Sequence, residues 1–101
     1  MKYIITESKL DMLMTEYLNG WIESKTISHS SPYIIVEGRS IEYEEEWDVF
    51  MEYDSSDGRL WINKDFRNHL MDLFNKSHVE TSVFIAKFFE DKFGVEINKV
   101  D

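Results

Sequence analysis

The stretch that decides the fold is Ile41-Glu42-Tyr43-Glu44-Glu45-Glu46-Trp47-Asp48-Val49-Phe50-Met51-Glu52-Tyr53. Its odd-numbered positions are apolar apart from Glu45, and its even-numbered positions are acidic apart from Phe50. Successive side chains of a β-strand point to opposite faces of the sheet. The alternation therefore predicts a strand over residues 41–53 with one buried apolar face and one solvated, strongly negative face.

More strands are predicted on either side of this stretch. Asp54-Ser55-Ser56-Asp57-Gly58 is typical of a tight turn, because glycine adopts a positive φ without strain. Arg59–Ile62 is then the returning strand of a hairpin. Upstream, Tyr33–Val36 is β-branched and apolar on both sides, which favours a central strand. Lys25–Pro32 is predicted to be a polar connection.

Three helices and a last strand complete the predicted fold. The helices run from a Thr6 cap to Asn19 or Glu23, from an Asn63 cap to Asn75, and from the Ser77-x-x-Glu80 capping box to Gly94, before a final strand at Val95–Val100. A chain of 101 residues favours one domain. We expect a single α+β domain of order α-β-β-β-α-α-β, with an antiparallel or mixed sheet packed by helices.

Composition removes several classes of function. The chain has no cysteine, which excludes disulfides, zinc–thiolate sites and cysteine nucleophiles. Its four glycines form no phosphate-binding loop, and its eleven Lys and Arg form no basic patch for nucleic acid. No apolar run approaches the length of a membrane span, and the first residues lack the apolar core of a secretory signal. We expect no cofactor, and a location in the cytoplasm of a host cell or in a virion.

The acidic charge is concentrated in residues 37–57. This segment carries nine acidic residues against Arg39 alone, which accounts for −8 of the net charge of −9. Two interpretations are open: the acids form a surface for a basic partner protein, or they only solvate a strand and keep it from pairing with other edges. The predicted contact residues on the wet face are the acids Glu42, Glu44, Glu46, Asp48 and Glu52, with the aromatics Phe50 and Trp61 as anchors.

Two other functions remain as alternatives. Evenly spaced carboxylates on a strand resemble a row of phosphates, as in a DNA-mimic inhibitor of a nucleic-acid-binding enzyme. Glu37, Glu52, Asp54 and Asp57 would bind calcium if the hairpin turn brought them together, but the loop lacks the spacing of known calcium loops. A small metal-dependent hydrolase would need acids that converge in a pocket, and the acids are too plentiful for the sequence to single out a pair. His29, His69 and His78 form no i, i+4 pair.

The chain resembles a group of viral proteins. Its opening, Ile4-Ile5-Thr6-Glu7-Ser8-Lys9-Leu10, is similar to the start of many small uncharacterised proteins of tailed bacteriophages and marine viral metagenomes, as are the segments 61–66 and 89–94. This resemblance implies a viral origin and assigns no activity and no site residue. We therefore expect a non-enzymatic acidic interaction module, either a virion or assembly component or an accessory factor that binds a host protein. Self-association is a further expectation.

Overall fold

A five-stranded sheet forms the centre of the computed structural model, which describes residues 7–41 and 45–101. The elements in chain order are α1 (Glu7–Glu23), β1 (Thr26–Ser30), β2 (Tyr33–Arg39), β3 (Trp47–Asp54), β4 (Arg59–Ile62), α2 (Lys64–Phe74), α3 (His78–Phe93) and β5 (Lys99–Val100). The α+β prediction is confirmed, with one more strand before the second helix than expected. The Thr6 cap and residues 42–44 lie outside the described residues.

The additional strand is β1, in the segment that was predicted to be a polar connection. It pairs antiparallel with β2, from Thr26 opposite Glu37 to Ser30 opposite Tyr33. Ile27 is the one apolar residue of this strand. The other side chain that β1 directs to the core face is the polar His29, so the strand has no hydrophobic alternation for the period-2 pattern to detect.

The first four strands form an antiparallel meander, and β5 adds parallel to β4 at the other edge. The strand predicted over Val95–Val100 is only two residues long, because the residues before Lys99 form hydrogen bonds with groups outside β4. Three hydrogen bonds hold them: Tyr53 Oη donates to the Glu96 carbonyl (2.8 Å), the Ile97 N–H donates to Glu90 Oε2 (2.8 Å), and the Asn98 N–H donates to the Gly58 carbonyl (2.7 Å). The last strand thus lies beside β4, not beside an early strand.

One extra residue in β3 reverses its alternation. Val36 pairs with Met51, and the next residue of β2, Glu37, pairs with Val49. The register therefore leaves Phe50 as an additional residue on β3, which is a β-bulge. Phe50 and Met51 are consecutive yet both buried, with exposed fractions of 1% and 0%. The odd positions of β3 face the core after the bulge, and the even positions face it before the bulge.

The helices pack against the side of the sheet that Phe50 and Met51 share. The ring of Trp21 in α1 stacks on Phe66 of α2 with centroids 4.3 Å apart, and meets Phe50 edge-on at 5.2 Å. Phe89 of α3 lies 5.7 Å from Tyr53 of β3. These contacts define the core face of the sheet, and they account for the aromatic-rich composition.

Local signals at the helix ends are confirmed. Ser77 and Glu80 form the predicted capping box at the start of α3, and Gly94 ends that helix in the left-handed conformation with φ +64°. Asn63 caps α2 as expected. α1 continues through Gly20 to Glu23, the longer of the two predicted lengths.

Asn63 also connects α2 to the bulge. Its backbone N–H donates to the Phe50 carbonyl (2.8 Å), and its side-chain Nδ2 donates to the Val49 carbonyl (3.0 Å). Its Oδ1 accepts from the backbone N–H groups of Asp65 (2.8 Å) and Phe66 (3.1 Å). A single side chain therefore satisfies two orphan donors of the helix and one carbonyl beside the bulge.

Two substitutions of Asn63 separate these roles. Asn63→Asp retains a good cap but removes the Nδ2 donor, so we expect a loss of about 1 kcal/mol in the free energy of unfolding. Asn63→Ala removes both functions and should cost about 2 kcal/mol. Urea denaturation monitored by tryptophan fluorescence measures both values. An Asp variant as stable as the wild type would show that the contact with Val49 contributes nothing.

Candidate functional site

The candidate site is the outer face of the sheet, which we define as the side opposite the three helices. The strand register places on it Thr26, Ser28 and Ser30 of β1, Tyr33, Ile35, Glu37 and Arg39 of β2, Trp47, Val49, Glu52 and Asp54 of β3, Arg59 and Trp61 of β4, and Lys99 of β5. The aromatic rings of the helices contact Phe50 and Tyr53 of β3, and these contacts lie on the core face. No helix of the described chain covers the outer face.

Large apolar side chains are exposed on this face. The exposed fractions are 57% for Trp47, 40% for Trp61 and 39% for Tyr33. Ile35 and Val49 lie between them and are half-buried. Isolated exposed apolar residues are normal, but a group on one sheet face is typical of a surface that contacts another molecule.

Two carboxylates lie among these apolar side chains. Glu52 is directly opposite Trp61 on one side and Ile35 on the other. Glu37 lies diagonally from Trp47, positions that are about 7–8 Å apart in a regular antiparallel ladder, and diagonally from Glu52 across the bulge. Both glutamates are half-buried. Neither side-chain carboxylate forms a hydrogen bond or an ion pair with any residue that the structure describes.

The expectation that Phe50 is an exposed anchor is wrong. Its side chain is 1% exposed and lies between Trp21 and Phe66 on the core face. The bulge is the reason, because it turns Phe50 to the same side as Met51. Trp61 is exposed on the outer face, as expected, but its partner across the hairpin is Glu52.

The predicted acidic row is not a single face. Asp48 pairs with Gly38 and lies on the core-face side, whereas Glu52 lies on the outer face. Glu46 precedes β3 in a turn, where its carbonyl accepts from the Ser40 N–H at 2.8 Å. Glu42 and Glu44 lie outside the described residues. Of the five predicted acids, Glu52 lies opposite the exposed Trp61 on the outer face, and Glu46 directly precedes the exposed Trp47 in the turn before β3.

Trp47 is a surface residue that the sequence reasoning placed in the core. Its odd position put it with Met51 and Tyr53, but the bulge lies between them and reverses the parity. A signal was present in the sequence: Val49-Phe50-Met51 is a run of three apolar residues that interrupts the alternation. Such a run at the centre of an alternating strand is compatible with a bulge. Trp47 also lines a shallow depression of about 570 Å³ with Arg39, Glu45 and Glu46.

The turn acids form hydrogen bonds within their own loop. Asp54 Oδ1 accepts from the Ser56 N–H (2.9 Å) and the Ser56 hydroxyl (2.6 Å), and Asp57 Oδ1 accepts from the Arg59 N–H (3.1 Å). The two bonds from Ser56, followed by the nearby Arg59 charge, lower the pKa of Asp54 below its usual value. Asp54 and Asp57 thus act as turn formers.

The histidine, aspartate and glutamate side chains of the described residues do not gather into a metal site. Within residues 7–41 and 45–101, no group of three or more histidine, aspartate or glutamate residues could hold a metal ion. Tyr17 Oη lies 3.1 Å from His69 Nε2, and the ring of His29 contacts Phe93 edge-on at 6.0 Å.

A groove of about 400 Å³ separates α1 from α3, and Phe84, Lys87 and Asp91 contribute to its lining.

Comparisons with known proteins give no relative. The chain matches no family model, no curated protein and no solved structure. In the described part of the chain, no helix combines the length and the hydropathy that crossing a bilayer requires.

Alanine substitutions distinguish the two faces. Phe50→Ala should lower the free energy of unfolding by about 3–5 kcal/mol, because it opens a cavity between Trp21 and Phe66. Trp61→Ala removes a side chain that is 40% exposed and should cost about 1 kcal/mol. Chemical denaturation of both variants measures the difference. Equal losses would contradict the assignment of Phe50 to the core and Trp61 to the surface.

Proposed function

We propose that this domain is a non-enzymatic protein-interaction module that binds a partner with a basic surface through its outer face. The observation that carries the proposal is the exposure of Trp47 and Trp61 on a sheet face against which no described helix packs. Tryptophan is enriched among the residues that dominate binding energy, and such anchors are surrounded by a polar rim. Arg39, Asp54 and Arg59 provide such a rim here.

Charge supports a basic partner. The chain carries −9, and the carboxylates of Glu37 and Glu52, which the register places beside apolar residues of the outer face, have no cationic partner among the described residues. A negative surface raises the association rate of a positively charged protein and repels phosphate. The partner is therefore a protein, and direct binding to nucleic acid is disfavoured.

The proposed setting is viral. The resemblance of residues 4–10, 61–66 and 89–94 to small proteins of tailed bacteriophages supports a component of a virion or of its assembly, or an accessory factor that binds a host protein. Its place would be the host cytoplasm or the virion. Both settings require a surface for a partner protein.

The DNA-mimic alternative receives less support from the geometry. A phosphate mimic needs a row of carboxylates on one surface, but Asp48 and Glu52 lie on opposite faces of β3. The hydrolase alternative needs acids that converge in a pocket, and the four acids considered for calcium are separated: Glu37 and Glu52 lie among apolar side chains, and Asp54 and Asp57 bond their own turn.

The outer face is tested by removing its indoles. Wild-type protein and the variant Trp47→Ser/Trp61→Ser are immobilised and exposed to host lysate, and any protein captured by the wild type is then purified and titrated against both. Direct binding that weakens at least about a hundredfold in the variant is expected, because each lost aromatic anchor costs about 2 kcal/mol. Raising the salt concentration should weaken the binding further.

The matched control is Val79→Ser/Val83→Ser, which removes two exposed apolar side chains (69% and 62%) from α3. This variant should bind like the wild type. Equal weakening in both double variants would contradict the outer face as the contact surface. A dimer seen by light scattering that only the Trp variant loses would show that the face binds a second copy instead of a basic partner.

A further inference from the structure

We infer that the outer face contains a receptor for one arginine side chain of the partner, formed by Glu52, Glu37 and the indole of Trp61. This inference rests on the proposed function, because it specifies what the partner inserts into the same face. Glu52 lies directly opposite Trp61, at a spacing of about 4.5–5.5 Å between Cβ atoms. Glu37 lies diagonally from Glu52 on the same face of the sheet.

The carboxylates of Glu37 and Glu52 are half-buried beside the apolar side chains of Val49 and Ile35, which reduces their contact with water. A carboxylate that a bound partner covers further needs hydrogen-bond donors, and positively charged donors bind it most strongly. None of the described residues forms an ion pair or a side-chain hydrogen bond with either carboxylate, so both are available to a cationic group of the partner.

The arginines of the face itself lie at its ends. Arg59 is opposite Asp54, and its Nε lies 3.3 Å from Asp101 Oδ2 and 3.9 Å from Asp57 Oδ2. Arg39 is two residues beyond Glu37 on β2, opposite Trp47, and forms no ion pair within 4 Å with a described residue. Lys99 of β5 lies opposite Arg59 with its Nζ 4.0 Å from Asp101 Oδ1, so none of the described cations on this face pairs with Glu52.

The indole of Trp61 is the aromatic neighbour of the Glu52 carboxylate. Trp61 is 40% exposed, so its indole is available to a ligand. A guanidinium group is planar, donates two parallel hydrogen bonds to one carboxylate and stacks on an aromatic ring. A carboxylate directly opposite an indole offers both contacts to one arginine, whereas a lysine ammonium would use the carboxylates as a point charge.

The same arrangement disfavours a second copy as the occupant. Two copies packed face to face about a two-fold axis at the centre of the outer face would bring Glu37 and Glu52 close to the same residues of the other copy. Like charges at such spacing oppose association. The balancing Arg39 and Arg59 lie toward the ends of the face, away from the axis.

Indole N–H signals in ¹H–¹⁵N NMR spectra test the receptor directly. The chain has three tryptophans, and Trp21 is stacked on Phe66, which makes its signal an internal reference. The probes are the amidated tripeptides of arginine, of lysine and of citrulline, the uncharged analogue of arginine. We expect the Trp61 signal to shift with tri-arginine at about fivefold lower concentration than with tri-lysine, and not to shift with tri-citrulline.

Charge-neutral variants identify the residues. Glu52→Gln should weaken tri-arginine binding about tenfold, and Glu37→Gln by a smaller factor, since a hydrogen-bonded charge pair is lost. Glu16→Gln is the matched control: it removes the same charge from the exposed surface of α1. Equal weakening by Glu16→Gln and Glu52→Gln, or equal response to all three tripeptides, would overturn the receptor.

The outcomes separate the receptor from the function on which it rests. If Trp47→Ser/Trp61→Ser abolishes binding of the partner while Glu52→Gln and Glu37→Gln bind it like the wild type, the arginine receptor is wrong and the interaction module stands. If the Trp variant also binds the partner normally, both are wrong. Circular dichroism of each variant verifies that the fold is intact.

Discussion

The extra residue that β3 inserts at Phe50 determines both faces of the sheet. Before it, the even positions point to the helices; after it, the odd positions do. In a regular strand, Trp47 would lie under the helices, and Phe50 would be exposed beside Glu52. The bulge exchanges these positions, so a phenylalanine enters the core and a tryptophan is left in solvent. The surface that we propose for binding therefore exists because of one irregularity in the ladder.

The core stabilises this irregularity. A bulge removes a regular ladder bond, and the structure compensates at two places. Phe50 is buried against Trp21 and Phe66, and burying a phenylalanine contributes about 2–3 kcal/mol. Asn63 then bonds the carbonyls of Val49 and Phe50 while it caps α2. The helix that follows the hairpin thus begins at the residue that holds the bulge, which couples the position of α2 to the register of β3.

Sequence reasoning succeeded where the signal is local. The caps at Asn63, Ser77 and Gly94 depend on a few neighbouring residues, and all three are present. It failed where the outcome depends on partners distant in sequence. β1 forms because β2 offers an edge, although Ile27 is the only apolar residue that β1 directs to the core face. Likewise, the apolar run at Phe50 is compatible in sequence with a regular strand that has one exception to its alternation. Only the pairing of Glu37 with Val49 shows that the run contains a β-bulge.

The placement of the acidic charge also depends on strand partners that are distant in sequence. The nine acids of residues 37–57 are contiguous in sequence, but the hairpin distributes those that the structure describes over the outer face, the turns and the core-face side. Their number sets the long-range attraction for a basic protein, which depends on net charge. Their placement decides specificity, which depends on desolvated contacts. Glu37 and Glu52 are half-buried beside the apolar Val49 and Ile35 of the outer face, so a partner that fails to neutralise them would bind at a cost.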